Sequence, residues 1–287
     1  MRGLDFLSAI FDKLACFTRS GKAMQGGSPF HAQRFVIAAM SWSGAYPLAS
    51  LLDSATDINC YGEIYRGSHV ELPPDIRQEL RLAQDDTQVR NDTGFALFDR
   101  LEQVVPSPLL GFKILPSQAK IPIIDETLRN PHWKKVVLKR NPLEVFLVSE
   151  WAARNHMGRG HRIGEVEQVQ SLEPVAFDGD KFDVFLRRYR QVYKTWREMS
   201  DAFHPDTWFR FNHPQSSRPR PSDQLLDFLG SSARGADLVN ERHDIPVESV
   251  TSLVDNYETL AAHLNNRGMS HLLKGDCCIN QMTEIPR

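Results

Sequence analysis

The sequence predicts an α/β domain of three layers, a mainly parallel central sheet flanked by helices. Short apolar or β-branched runs recur at 35–39, 111–115, 135–139 and 208–211, and longer helical patterns fall between them at 47–54, 73–84, 95–104, 142–157 and 181–203. Strands that alternate with helices build βαβ units, which need parallel strands covered on both faces. At 287 residues, 41% hydrophobic and 24% charged, the chain is long enough to bury such a core. Ligands of sheets of this kind sit at the carboxyl ends of the strands.

The first segment, "LDFLSAIFDKLACF" (4–17), is apolar on one side, but Asp5, Asp12 and Lys13 interrupt a signal-peptide core or a membrane span. It reads as a docking helix or a frayed amphipathic arm, with weak membrane-surface association as the alternative. The polar, glycine-rich stretch 18–33 reads as a linker. This gives an arm and linker at 1–33, a domain at 34–265 and a tail at 266–287.

In the 181–203 helix, Phe182, Phe185, Tyr189, Val192, Trp196, Met199 and Phe203 make one apolar stripe, with Arg187, Arg188 and Arg190 expected on a solvated face. "DQLLDFLG" is a helix with Gly230 at its carboxyl cap, a further helix is expected at 247–264, and the tail after Gly275 has no periodicity. Formal charge is −2, so no global field recruits nucleic acid, and an anion site must be built locally. Cys16, Cys60, Cys277 and Cys278 fit neither a disulfide framework nor paired zinc spacing, so a reducing, cytoplasmic setting is expected, with or without peripheral membrane contact. None of the ten histidines stands in a recognised metal spacing, and no metal is expected.

"FVIAAMSWSGAYPLASLL" (35–52) passes from strand through a small-residue turn into a helix opened by Pro47. Such a turn aims free backbone N–H groups and a helix dipole at whatever lies beyond it, a ready anion cradle. It is not a Walker A loop, because no lysine follows Gly44, nor does it fit G-x-G-x-x-G; an elbow serine is absent too. An ordinary P-loop kinase is therefore disfavoured. A second cluster lies in "WKKVVLKRNPLEVFLVSEWA" (133–152), where Arg140 ends a strand, Asn141 and Pro142 turn the chain, and Ser149 follows on the helix. A guanidinium there can fork onto a phosphate.

With these motifs the chain resembles the PAPS-dependent sulfotransferases, in particular the bacterial carbohydrate branch that contains the nodulation-factor sulfotransferase. "SWSGAY" matches the 5′-phosphosulfate motif and "KRNPLEVFLVS" the 3′-phosphate motif, with further likeness in "CYGEIY", "LGFKILPSQ" and "LLDFLG", in order across 34–265. The resemblance implies a P-loop-like three-layer fold and 3′-phosphoadenosine 5′-phosphosulfate (PAPS) as sulfuryl donor to a hydroxyl of a glycan or glycolipid. It places Trp42, Ser43, Gly44, Ala45 and Tyr46 around the 5′-phosphosulfate, and Arg140 and Ser149 on the 3′-phosphate. Glu63 matches the Gly-Glu that some bacterial members use as base, and Lys113 the lysine of the second motif strand; Leu115 replaces the histidine base of other relatives.

Three departures stand out. Trp42 replaces an Arg or Lys, Ala45 replaces a hydroxyl donor, and "WFRFNHP" (208–214) replaces a Tyr-Glu pair. Lys113 or Lys139 are the candidates to restore the missing charge. The alternative reading is a catalytically impaired relative that binds a nucleotide or a partner. Acceptor specificity is expected in loops such as 155–180, which carry no motif.

Overall fold

The computed structural model describes residues 32–105, 107–118, 121–155, 173–213, 221–239 and 253–274. The arm at 4–17, most of the 155–180 loop and the tail after Gly275 lie outside the described residues. In chain order the elements are β1 (Gln33–Ala39), α1 (Ala45–Asp53), β2 (Ile58–Tyr61), α2 (Pro74–Glu79), α3 (Thr87–Thr93), α4 (Ala96–Val104) and β3 (Leu109–Ile114). There follow α5 (Pro122–Arg129), β4 (Trp133–Lys139), α6 (Pro142–Arg154), α7 (Gly179–Ala202), β5 (Trp208–Asn212), α8 (Asp223–Leu229) and α9 (Tyr257–Asn266).

The five strands form one parallel sheet in the order β2-β3-β1-β4-β5. Side chains of β1 alternate between two cores, as a pleated strand requires. Phe35, Ile37 and Ala39 pack against Leu48 and Leu52 of α1 and Leu225, Leu226 and Leu229 of α8. Val36 and Ala38 face the opposite layer, which holds Leu97 and Phe98 of α4 and Tyr189, Tyr193 and Trp196 of α7. Both faces of the sheet are thus covered, and the three-layer α/β expectation holds.

Several boundaries differ from expectation. β2 went unforeseen because "INCY" is four residues long and has a polar Asn59 in its middle. The helix expected at 73–84 stops at Glu79, since Arg81 adopts a left-handed φ of 54°. Of the helix expected at 247–264, residues 247–252 lie outside the described residues and α9 starts at Tyr257, because Val254 makes a parallel bridge to Val175 and the Asn256 side chain holds both the amide and the carbonyl of Phe177, at 2.7 and 3.1 Å. α3 and α5 were also unforeseen. In α5, Ile123, Ile124, Thr127 and Leu128 form the buried face of a helix too short to show a clear period. α8 ends as expected, with Gly230 left-handed at φ 86°.

The α7 stripe is broader than the one expected, taking in Leu186 and Tyr193 while Phe185, Val192 and Met199 are only partly buried. Arg187 and Arg188 are exposed, but Arg190 is not on a solvated face. Its Nη2 rests on the Met269 sulfur at 3.8 Å, its Nε is buried, and burial lowers its pKa. Packing runs on through the turn Ser270–Lys274, where Leu272 is fully buried and its carbonyl accepts from Asn141 Nδ2 at 2.7 Å. Among the described residues, no helix is long and apolar enough to cross a membrane.

Gly111 in β3 is paired with Phe35 of β1, and a Cβ at Gly111 would overlap the Phe35 ring. Gly111→Ala is expected to destabilise the fold by about 1–3 kcal/mol through overpacking, seen as a lower urea midpoint with an unchanged slope.

Candidate active site

Because all strands are parallel, every strand hands its chain over at one edge, and the turns there become neighbours. β1 lies between β3 and β4, so its exit turn is flanked by Leu115–Gln118 on one side and Arg140–Asn141 on the other. Beyond β3, the end of β2 leads directly into Gly62 and Glu63.

In the β1 turn, the Ser43 amide and hydroxyl both donate to the Met40 carbonyl, at 3.3 and 2.6 Å, so that hydroxyl points back into the strand end. Trp42 is left-handed at φ 66°, which turns its carbonyl toward Arg140 Nη1 at 3.4 Å, while its ring packs against two core clusters. Gly44, at φ 87°, is the amino-terminal cap of α1, a conformation that suits glycine. Gly44 and Ala45 are buried, and no acceptor among the described residues takes either amide. Buried N–H groups without an acceptor are rare in folded proteins.

Glu63 and Lys113 meet because β2 pairs with β3: the Lys113 amide donates to the Gly62 carbonyl at 3.1 Å, and Lys113 Nζ lies 3.0 Å from Glu63 Oε1. Both side chains are buried, at 6% and 4% exposure. The second Glu63 oxygen accepts from Gln118 Nε2 at 3.1 Å, and Gln118 Oε1 in turn accepts the Leu115 amide at 2.9 Å. Tyr46 donates to both oxygens of Glu71 at 2.6 and 2.7 Å, and Glu71 also accepts the Glu63 amide at 3.1 Å. Lys113 Nζ sits 3.1 Å from the centre of the Tyr46 ring, which joins the pair to the first turn of α1. Burial pushes the Lys113 ammonium down to about 8 against the opposing pull of Glu63, and burial followed by Glu71 pushes the Tyr46 hydroxyl up.

On the other flank, Arg140 Nε pairs with Glu144 Oε2 at 2.8 Å, both side chains being buried. Its Nη2 finds no acceptor among the described residues. Asn141 caps α6 by accepting the Leu143 amide at 2.9 Å, and Pro142 occupies the first helical turn, so Asn-Pro serves the helix start. Tyr189 and Tyr193 of α7 donate to the carbonyls of Arg140 and Leu138 and hold the end of β4. The Ser149 hydroxyl donates within its own helix to the Phe146 carbonyl at 2.7 Å. Lys139 Nζ lies over the Tyr193 ring at 5.6 Å, on the α7 side.

The structure therefore brings Glu63, Lys113 and Tyr46 into one cluster and Trp42 and Arg140 into another along the same edge. It shows no contact between Ser149 and Arg140. Gln118 and Glu71 were not singled out by the sequence. Gln118 lies inside the "LGFKILPSQ" segment, whereas Glu71 becomes a site residue only through the turn that follows β2. The cluster offers a buried carboxylate with an ammonium beside it, next to backbone donors, a set suited to deprotonating a hydroxyl near an anionic group.

No protein-family model matches the chain, and no curated protein matches it. Among solved structures it is similar to a sulfotransferase from Alicyclobacillus acidocaldarius, with a TM-score of 0.43 and 17% identity over 86% of this chain and 97% of that one. It is also similar to mouse sulfotransferase SULT7A1 complexed with PAP, with a TM-score of 0.40 and 11% identity over 85% of this chain and 89% of that one.

Between about pH 8 and pH 10.4 the unfolded chain holds a proton on Lys113 that the native state has lost, so this group makes stability rise with pH in that window. The buried Cys60 thiol and Tyr46 hydroxyl, both pushed up, act in the opposite sense. The stability difference between wild type and Lys113→Met is therefore expected to grow from about pH 8 to pH 10, measured by urea unfolding at each pH. A difference that stays flat would show that Lys113 keeps an ordinary pKa.

Proposed function

We propose that this chain moves the sulfuryl group of PAPS to a hydroxyl of a glycan or glycolipid. One observation carries the reading: the buried, acceptorless amides of Gly44 and Ala45 lie on the same sheet edge as Arg140 and as the Glu63–Lys113 pair. The residues fit such a donor. Two orphaned amides at a helix start suit a terminal phosphosulfate, and Arg140, pinned by Glu144 with Nη2 uncommitted, suits a second phosphate. Trp42 contributes no charge; the cations beside the turn are Arg140, on the Trp42 carbonyl, and Lys113, over the Tyr46 ring.

A bound donor would supply an activated sulfuryl group. In the transfer the acceptor oxygen forms a bond to sulfur as the bond from sulfur to the 5′-phosphate oxygen breaks, and the hydroxyl proton goes to Glu63. Gln118 and Lys113 hold the Glu63 carboxylate in one orientation. The Gly44 and Ala45 amides and the Lys113 ammonium offset charge on the transferring group, the kind of preorganised stabilisation on which in-line transfers depend.

A second reading, a relative that binds the nucleotide without turnover, is favoured by Trp42 at the cation's place and by the inward-turned Ser43 hydroxyl. Calorimetric titration with 3′-phosphoadenosine 5′-phosphate (PAP) separates these readings from a chain that binds no nucleotide, for which no heat is expected at millimolar ligand. With radiolabelled PAPS and extracted glycans or lipids, transfer of label supports the first reading; tight PAP binding without transfer supports the second. Arg140→Ala is expected to weaken PAP by about ten- to a hundredfold, the loss of a charge-assisted contact, whereas Glu63→Gln keeps PAP affinity and abolishes transfer.

A further inference from the structure

Beside Glu63, the 63–68 loop together with Ser117, Gln118 and Ile121 lines an open hollow of about 450 Å³ whose polar wall includes Glu63, Arg66, Ser68, Ser117 and Gln118. The loop is held rigidly. Arg90, 1% exposed, donates through Nη1 to the carbonyls of Ile64, Arg66 and His69 at 2.7, 2.8 and 3.2 Å, and its other nitrogens share the Asn91 side-chain oxygen. No carboxylate among the described residues pairs with Arg90, so it braces the loop without being neutralised.

Arg66 is fixed by its backbone, with its amide donating to the Glu63 carbonyl at 2.9 Å and its own carbonyl taken by Arg90. Arg66 is half-buried as a residue, and its guanidinium has neither an ion pair nor a hydrogen bond among the described residues. Its charge nonetheless reaches the neighbouring cluster: it slightly opposes the upward push of burial and Glu71 on the Tyr46 hydroxyl, and adds slightly to the downward push of burial on the Lys113 ammonium. Glu63 is paired with Lys113 and Glu71 is taken by the Tyr46 hydroxyl and the Glu63 amide, so neither carboxylate is paired with Arg66. A guanidinium with no partner among the described residues, on the wall of a polar hollow, is matched best by a carboxylate or phosphate.

We propose that this hollow takes the acceptor and that the acceptor is a polyhydroxylated molecule bearing an anionic group, which Arg66 binds while the hydroxyls meet Ser68, Ser117 and Gln118 and the reacting one faces Glu63. Calling the ligand an acceptor rests on the sulfotransferase reading; the anion preference of the hollow does not.

The test is equilibrium titration of the full chain with D-glucuronate, glucose 6-phosphate and D-glucose, each with and without PAP. Both anionic sugars are expected to bind at least about fivefold more tightly than glucose, the scale of a charge-assisted contact reduced by partial exposure. That preference should shrink with added salt, vanish in Arg66→Gln and survive in part in Arg66→Lys. Equal binding of charged and neutral sugars, or no binding of any of them, overturns the proposal. So does an Arg66→Gln loss that is larger for PAP than for the anionic sugars, because it moves Arg66 to the donor side. A chain that binds the anionic sugars but not PAP keeps the hollow and removes the sulfotransferase reading; one that binds PAP with no preference for anionic sugars does the reverse.

Discussion

The pairing of β1 with β3 on one side and β4 on the other is the constraint from which the candidate site follows. A parallel strand buried between two others has no freedom in where its exit turn lies. The Ser41–Gly44 turn must therefore open between the turns of its neighbours. This register is why Arg140, 98 positions from Trp42, reaches its carbonyl, while the pairing of β2 with β3 lands Glu63 beside Lys113. The same pairing restricts the side chains: Lys113 follows the period that points Gly111 at Phe35, which directs it to the α1 face and onto Tyr46.

The edge concentrates buried charge, and each charge is satisfied differently. Glu63 uses both carboxylate oxygens, one on an ammonium and one on an amide, so its burial leaves little unmet demand. Arg140 has a carboxylate on Nε and a weak carbonyl contact on Nη1, while Glu144 Oε1 remains buried without a partner. Arg90 is surrounded by neutral oxygens. Buried ion pairs contribute little net stability, because desolvating two charges costs several kcal/mol before attraction returns it. Apolar residues of similar size would fold as well. Two such pairs along one edge are therefore not accounted for by stability alone. The buried Tyr65 hydroxyl, also without a partner among the described residues, has no explanation in the structure.

How much of this was legible in the sequence depended on length and period. The four strands of five residues or more announced themselves as apolar runs, and the 24 residues of α7 as a stripe, because those windows hold enough turns or alternations to show a period. β2 did not, and with it went the physical reason for placing Glu63 beside Lys113; that proximity was reachable only through family resemblance. Asn-Pro after Arg140 was readable as a turn, and its capping role follows from residue type alone. Glu71, Arg66 and Gln118 carry no local signal. Their roles come from the fold of a loop whose brace, Arg90, lies on a separate helix, and no spacing rule encodes a guanidinium that collects three carbonyls from the far side of the chain.

Trp42 is where these strands of argument meet. A bulky residue in the left-handed region costs about 1–3 kcal/mol and persists only when its surroundings hold it there. Here they do: Ser43 binds back to Met40 twice, Arg140 takes the Trp42 carbonyl, and the indole is packed between two core clusters. The turn keeps its shape without a cation of its own. Positive charge reaches the edge from the end of β4 through Arg140, from the end of β3 through Lys113 and from the braced loop through Arg66. A turn fixed by packing, with charge supplied by its neighbours, separates holding an anion's oxygens from neutralising its charge. On the proposed reading the first falls to the Gly44 and Ala45 amides, and the second to Arg140 and to side chains that contact Glu63 or line the hollow beside it.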